Sequence, residues 1–184
     1  MNSKRTRISM ILIEAVAIFC SVLLAFAADQ WREDLNDRRK AESVMGLVKA
    51  ELEANLQSLQ SVVGTREGGL AAYNDALAEL SETQELPNSL PQLQFPEITN
   101  IAYRIATDAG VIAEIDPTEL LIIAQAYEAI QEVESNRSFL DNRNAQIRYE
   151  DDEQFLSGFI YYSNRALVSE PAAINAVGRA LSVM

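Results

Sequence analysis

Glu14 is the one charged side chain between Ile8 and Ala28. A carboxylate inside an apolar helical run has three chemical outlets. It binds a proton, it reaches toward polar headgroups, or it pairs with a group on a neighbouring helix. At mid-bilayer such a charge costs ~2.5–3.5 kcal/mol, and less near an interface. Glu14 lies ~9 Å inside Ile8 by helical rise, close to one edge of the run. Tolerance at that edge is the plainest reading. An assembly contact and an ion-coupling group are the sharper ones.

The other chemistry-bearing residues point to no reaction. Glu150-Asp151-Asp152-Glu153 is the densest acidic run. A calcium loop needs alternating oxygen ligands and a turn glycine. Neither is present, and Asp141-Asn142-Arg143-Asn144 puts a cation at a ligand position. The run reads instead as a solvated helix N-terminus favoured by the helix dipole. Hydrolysis by paired carboxylates needs two acids brought together, and no spacing singles out a pair. The chain contains no histidine, which removes histidine-based triads and metal sites. Its single cysteine, Cys20, sits in the apolar run and has no intramolecular disulfide partner. Gly64-Thr65-Arg66-Glu67-Gly68-Gly69 lacks the Gly-Lys-Ser/Thr ending of a phosphate loop and follows a helical pattern, not a strand. No catalytic set, cofactor site or metal site is expected, and a non-enzyme is the expectation. Tyr149, Tyr161 and Tyr162, with Phe155 and Phe159, make the C-terminal region aromatic. Such residues serve core packing or a partner-binding face.

The elements that position these residues begin with the apolar run. Ile8–Ala28 reaches ~31 Å as a helix, the thickness of a bilayer's hydrocarbon core. It is expected to be a transmembrane helix. Lys4, Arg5 and Arg7 precede it, and basic flanks stay in the cytoplasm. Trp31 sits where an interfacial aromatic belongs. Arg38, Arg39 and Lys40 form a second basic group on the far side and weaken the asymmetry. The rival reading is a cleaved signal peptide ending at Ala25-Phe26-Ala27. Against it stand the length of the apolar stretch and the presence of Glu14. Ala17, Ser21, Ala25 and Ala28 recur at three- and four-residue steps and offer a face for close helix packing.

Past the anchor, Met45, Val48, Leu52, Leu56, Leu59 and Val63 form a helical stripe, and Leu70, Tyr73, Leu77 and Leu80 form another. Gly64, Gly68 and Gly69 lie between them and mark a break or kink. No Gly or Pro separates the anchor from the first stripe until Gly46, so the membrane helix is expected to continue outward. Pro87, Pro91 and Pro96 punctuate a reversing loop. A helix is expected over 97–109, with Gly110 ending it. Asp116-Pro117-Thr118-Glu119 is a helix start with a capping box. Leu120, Ile123, Tyr127 and Ile130 follow on one face, to about Arg148. Phe155, Leu156, Phe159, Ile160 and Leu167 suggest a further helix, and Ser169-Glu170-Pro171 is expected to open a last one carrying Ile174, Val177 and Leu181.

The expected fold is all-α. It has a cytoplasmic tail at 1–7, a transmembrane helix at 8–28 and a helical stalk at 29–82 with a break at 64–69. A Pro-rich loop covers 83–96, and a helical bundle at 97–184 packs on the stalk outside the cytoplasm. The chain has 184 residues with 15 Lys and Arg against 27 Asp and Glu, net −12. That charge repels nucleic acid and anionic headgroups. The expected partners are the bilayer and other membrane subunits or further copies of the chain.

Two stretches resemble a bacterial family of small, single-span, membrane-anchored proteins of unknown function. Glu14, Ser21-Val22-Leu23-Leu24-Ala25-Phe26 and Asp29-Gln30-Trp31-Arg32-Glu33 resemble its opening, E-x6-G-[IV]-L-[IL]-A-L-x3-[ND]-W-x-E. Ser21 stands where that family has Gly. Ala102 to Ile112, followed by Leu120, Leu121 and Tyr127, resemble its middle segment. The resemblance implies one anchor in the bacterial inner membrane and a helical outer domain, and brings no activity. Three functions follow as expectations: an anchored interaction or accessory-subunit protein, a ligand-sensing outer domain acting through a partner, and an ion-coupled subunit using Glu14.

Overall fold

The computed structural model describes residues 3–87, 90, 93–146 and 152–184, and of residues 3–13, 15, 141 and 143–146 only the backbone. Among the described residues the chain is all-α. Helix α1 is Ser3–Val63, α2 Arg66–Thr83, α3 Ile101–Asp108, α4 Pro117–Gln146 and α5 Asp152–Val183, with a short 3-10 helix at Val111–Glu114 between α3 and α4. Two compact units divide the chain, Met1–Ser43 and Val44–Met184.

The first unit is helical from Ser3 onward, and every described apolar side chain from Val16 to Phe26 is exposed. Among the described residues, no helix is long and apolar enough to cross a membrane, so the expected transmembrane helix lacks that support.

The second unit holds the core. From α1 it takes Val48, Leu52, Leu59 and Val62, buried at helical spacing. Ile123, Ala126, Tyr127, Ile130, Val133 and Leu140 form the matching stripe of α4. α5 contributes Ala166, Ala173, Ala176, Val177 and Ala180. Small residues on α5 let its backbone come close to its neighbours, and the facing Leu, Ile and Tyr side chains fill the space.

The break between α1 and α2 falls at Gly64 and Thr65, where the Thr65 hydroxyl and N–H both donate to the Val62 carbonyl. α2 then ends at Gln84, a left-handed residue (φ 58°) whose N–H donates to the Leu80 carbonyl. The proline-punctuated loop is more than a spacer. Its Leu86, Leu90 and Leu93 pack with Tyr73, Ala76 and Leu156 in a second apolar cluster.

Asp116 caps α4 as its sequence implies. Its Oδ1 accepts the N–H groups of Thr118 at 2.8 Å and Glu119 at 3.4 Å. Those bonds hold its carboxyl below the usual carboxylate range.

Two expectations need correction. The helix expected over 97–109 begins only at Ile101, because residues 97–100 form no helix and the Glu97 and Thr99 N–H groups bond to side chains of α1 instead. Ser169-Glu170-Pro171 opens no new helix. α5 passes through Pro171 without interruption. Ala166, Ser169, Glu170, Ala173, Ala176, Val177 and Ala180 are all buried on one continuous face. Ser169 and Glu170 bond to other helices there and cap nothing. The pairing of Ser169 and Glu170 before the proline and the burial of Ala173, Ala176 and Val177 after it outweigh its local tendency to break the helix.

Candidate functional site

In the first unit, the apolar helix presents Phe19, Leu24, Phe26 and Trp31 at 63%, 70%, 70% and 68% exposure. Glu14 is exposed too. Ala17, Ser21, Ala25 and Ala28 are exposed, and the Ser21 hydroxyl donates to the Ala17 carbonyl at 2.7 Å. Ser21 is thereby satisfied within its own helix. The side chains of Lys4, Arg5 and Arg7 lie outside the described residues. Cys20 is exposed and free.

In the second unit, polar side chains converge at three places, joining residues that no sequence pattern had linked to one another. Glu51, Asn55 and Ser58 share one face of α1 and grip the non-helical segment leading into α3. The Ser58 hydroxyl oxygen accepts the Glu97 N–H at 2.7 Å. Asn55 pairs with the Thr99 backbone at both ends, accepting its N–H at 3.0 Å and donating to its carbonyl at 2.8 Å. The Glu51 carboxylate takes the N–H groups of Ala102 at 2.9 Å and Tyr103 at 3.3 Å, the first turn of α3. It supplies from another helix the cap that Asn100 does not provide. Glu51 also accepts the Tyr127 hydroxyl at 2.7 Å. Burial, and then that bond to Glu51, push the Tyr127 phenol far above its ordinary value, so it is a fixed donor and not an acid. The Tyr103 and Tyr127 rings stack at 4.2 Å, 17° from parallel.

Beside these rings, a groove of about 640 Å³ runs between α3 and α4. Tyr103 and Tyr127 line it together with Asn100, Arg104, Glu134 and Phe139.

A second polar node is an ion pair sealed in the bundle. Arg66, at the start of α2, and Glu170 of α5 are both 0% exposed. Arg66 Nε donates to both carboxylate oxygens at 3.0 and 2.9 Å, and Nη2 to Oε1 at 2.6 Å. The Tyr162 ring lies 5.4 Å from the guanidinium carbon and its hydroxyl accepts from Nη2 at 3.4 Å. Arg66 Nη1 and Ser163 Oγ are buried and bond to nothing among the described residues. A bidentate arginine–carboxylate pair is the strongest form such a contact takes, yet moving both charges out of water offsets most of the gain.

The third node is at the surface. Arg165 Nε donates to Asn136 at 2.8 Å, and its other nitrogens reach Tyr161 and Glu132. Asn136 in turn donates to Ser169.

The aromatic residues near the C-terminus divide accordingly. Tyr162 is buried, Phe155 and Phe159 join the Tyr73 cluster, and Tyr161 is exposed beside Phe139 and Arg165. Tyr149, Glu150 and Asp151 lie outside the described residues. Asp152 and Glu153 are exposed in the first turn of α5. Among the described residues no group of acids, Cys or His is placed to hold a metal ion.

No family model matches the chain, and no curated protein or solved structure matches it.

Proposed function

We propose that the protein is a membrane-anchored, non-catalytic interaction or accessory-subunit protein. It is held by Ile8–Ala28 as a single-pass helix, with residues 1–7 in the cytoplasm and the helical domain outside it, in a bacterial inner membrane. One observation carries the reading: the described apolar side chains from Val16 to Phe26 are exposed on all sides of α1. A helix that is apolar all round is stable only where another apolar medium surrounds it. Each large apolar side chain left in water forgoes roughly 1.5–3 kcal/mol of burial. Lipid tails or partner helices supply that medium. The likeness to the family of anchored proteins supports the same placement, and so does Trp31 at the outer end of the run. Partner helices would meet the face of Ala17, Ser21, Ala25 and Ala28, and Glu14 would find a donor there.

The test is extraction. Membranes bearing the protein with a C-terminal tag are washed with alkaline carbonate, then solubilised in mild detergent for purification, mass measurement and identification of co-purifying chains. The protein should resist carbonate and emerge with a stoichiometric membrane partner or as a homo-oligomer. Release by carbonate would overturn the anchor, and a lone monomer would overturn the assembly role.

A further inference from the structure

We propose that the groove between α3 and α4 is a binding site for a free α-amino acid with an apolar side chain. The inference is independent of where the protein sits in the cell. Its first support is a matched pair of unspent charges. Arg104 and Glu134 both line the groove, and both are exposed. Among the described residues neither makes an ion pair or side-chain hydrogen bond. One cation and one anion on the walls of a single groove recognise a zwitterion: the guanidinium takes a carboxylate and the carboxylate takes an ammonium. A purely cationic ligand would meet Arg104, and a purely anionic one would meet Glu134 in a chain of net charge −12.

The second support is the apolar lining. The aromatic residues Tyr103, Tyr127 and Phe139 line the groove, and the two tyrosine rings stack on each other. Glu51 holds the Tyr127 hydroxyl and the Tyr103 N–H from behind. A preorganised aromatic wall binds an apolar side chain without ordering itself first. The volume of about 640 Å³ falls within the roughly 300–1,000 Å³ of small-molecule sites. Asn100 adds a neutral donor and acceptor to the lining.

The test is titration calorimetry on the full chain in detergent, with L-phenylalanine and L-leucine as probes. N-acetyl-L-phenylalanine, which lacks the ammonium, and L-phenylalaninamide, which lacks the carboxylate, serve as controls. At least one amino acid should bind saturably, and both blocked analogues about tenfold more weakly or worse. Arg104→Gln should weaken the amino acid by about tenfold while leaving the amide unchanged, and Glu134→Gln should do the same relative to the N-acetyl compound. Both residues are exposed, so the melting curves of the variants should match the parent. Absence of binding by both amino acids up to about 10 mM, equal binding of either blocked analogue, or unchanged affinity in both variants would each overturn the proposal.

Discussion

Arg66 and Glu170 place two opposite charges where no water reaches them. The cost of isolating one of them is larger than the net worth of the pair. Arg66→Met alone and Glu170→Leu alone should each destabilise the domain by about 3–5 kcal/mol, while the double variant recovers most of that loss. Urea unfolding of the four proteins measures it, and additive losses would mean that the two side chains act separately. Neither residue was legible in the sequence. Arg66 sits among Gly64, Gly68 and Gly69, where a charge reads as a solvated loop residue, and Glu170 sits in what reads as a helix start. Their meeting depends on a separation along the chain that no local pattern encodes. Glu51 was hidden for a related reason. It lies beside Leu52 in an apolar stripe, and only the arrival of α3 turns a surface-looking carboxylate into a buried cap.

Elements were more open to reading than their contacts. The stripes of α1 and α4, the Gly64 break and the Asp116 cap all follow from spacing and capping chemistry. Pro171 shows where that chemistry stops. Ser-Glu-Pro is a start signal only when the serine is free to cap, and Ser169 is bonded to Asn136. Asp116 carries a testable consequence for α4. Its folded-state pKa is depressed by the Thr118 and Glu119 N–H groups, so its contribution is present above the unfolded value and is lost as pH falls through the folded one. Asp116→Asn keeps a capping oxygen but does not titrate. The variant should match the parent near neutral pH and lose less stability between about pH 5 and 3, as followed by helical signal in urea. Parallel acid profiles would show that the carboxylate is not the titrating cap.

At the scale of the molecule, every apolar cluster among the described residues falls within Val44–Met184. A fragment of residues 44–184 should therefore fold alone, with a single cooperative urea transition and strong helical signal. A broad transition or exposed-surface dye binding would show that the preceding residues complete its core. The apolar run at the other end was the clearest feature of the sequence, and what surrounds it was not legible, because periodicity reports that a face must be covered and not by what. The same holds for the groove, whose Arg104 and Glu134 come to line one space only once α3 is seated beside α4.

That seating has a consequence for how the sequence is free to drift. Glu51, Asn55 and Ser58 hold the chain from Glu97 to Tyr103 chiefly through its peptide groups. The grip constrains the path of that segment and leaves the identity of its exposed residues open. A saturation scan read out by folded yield should find Glu51 and Asn55 refractory to nearly every replacement, while Glu97, Asn100 and Ile101 accept most residues except proline. One side of this contact is written in side chains and the other in backbone, so mutation can rewrite only the second without loss.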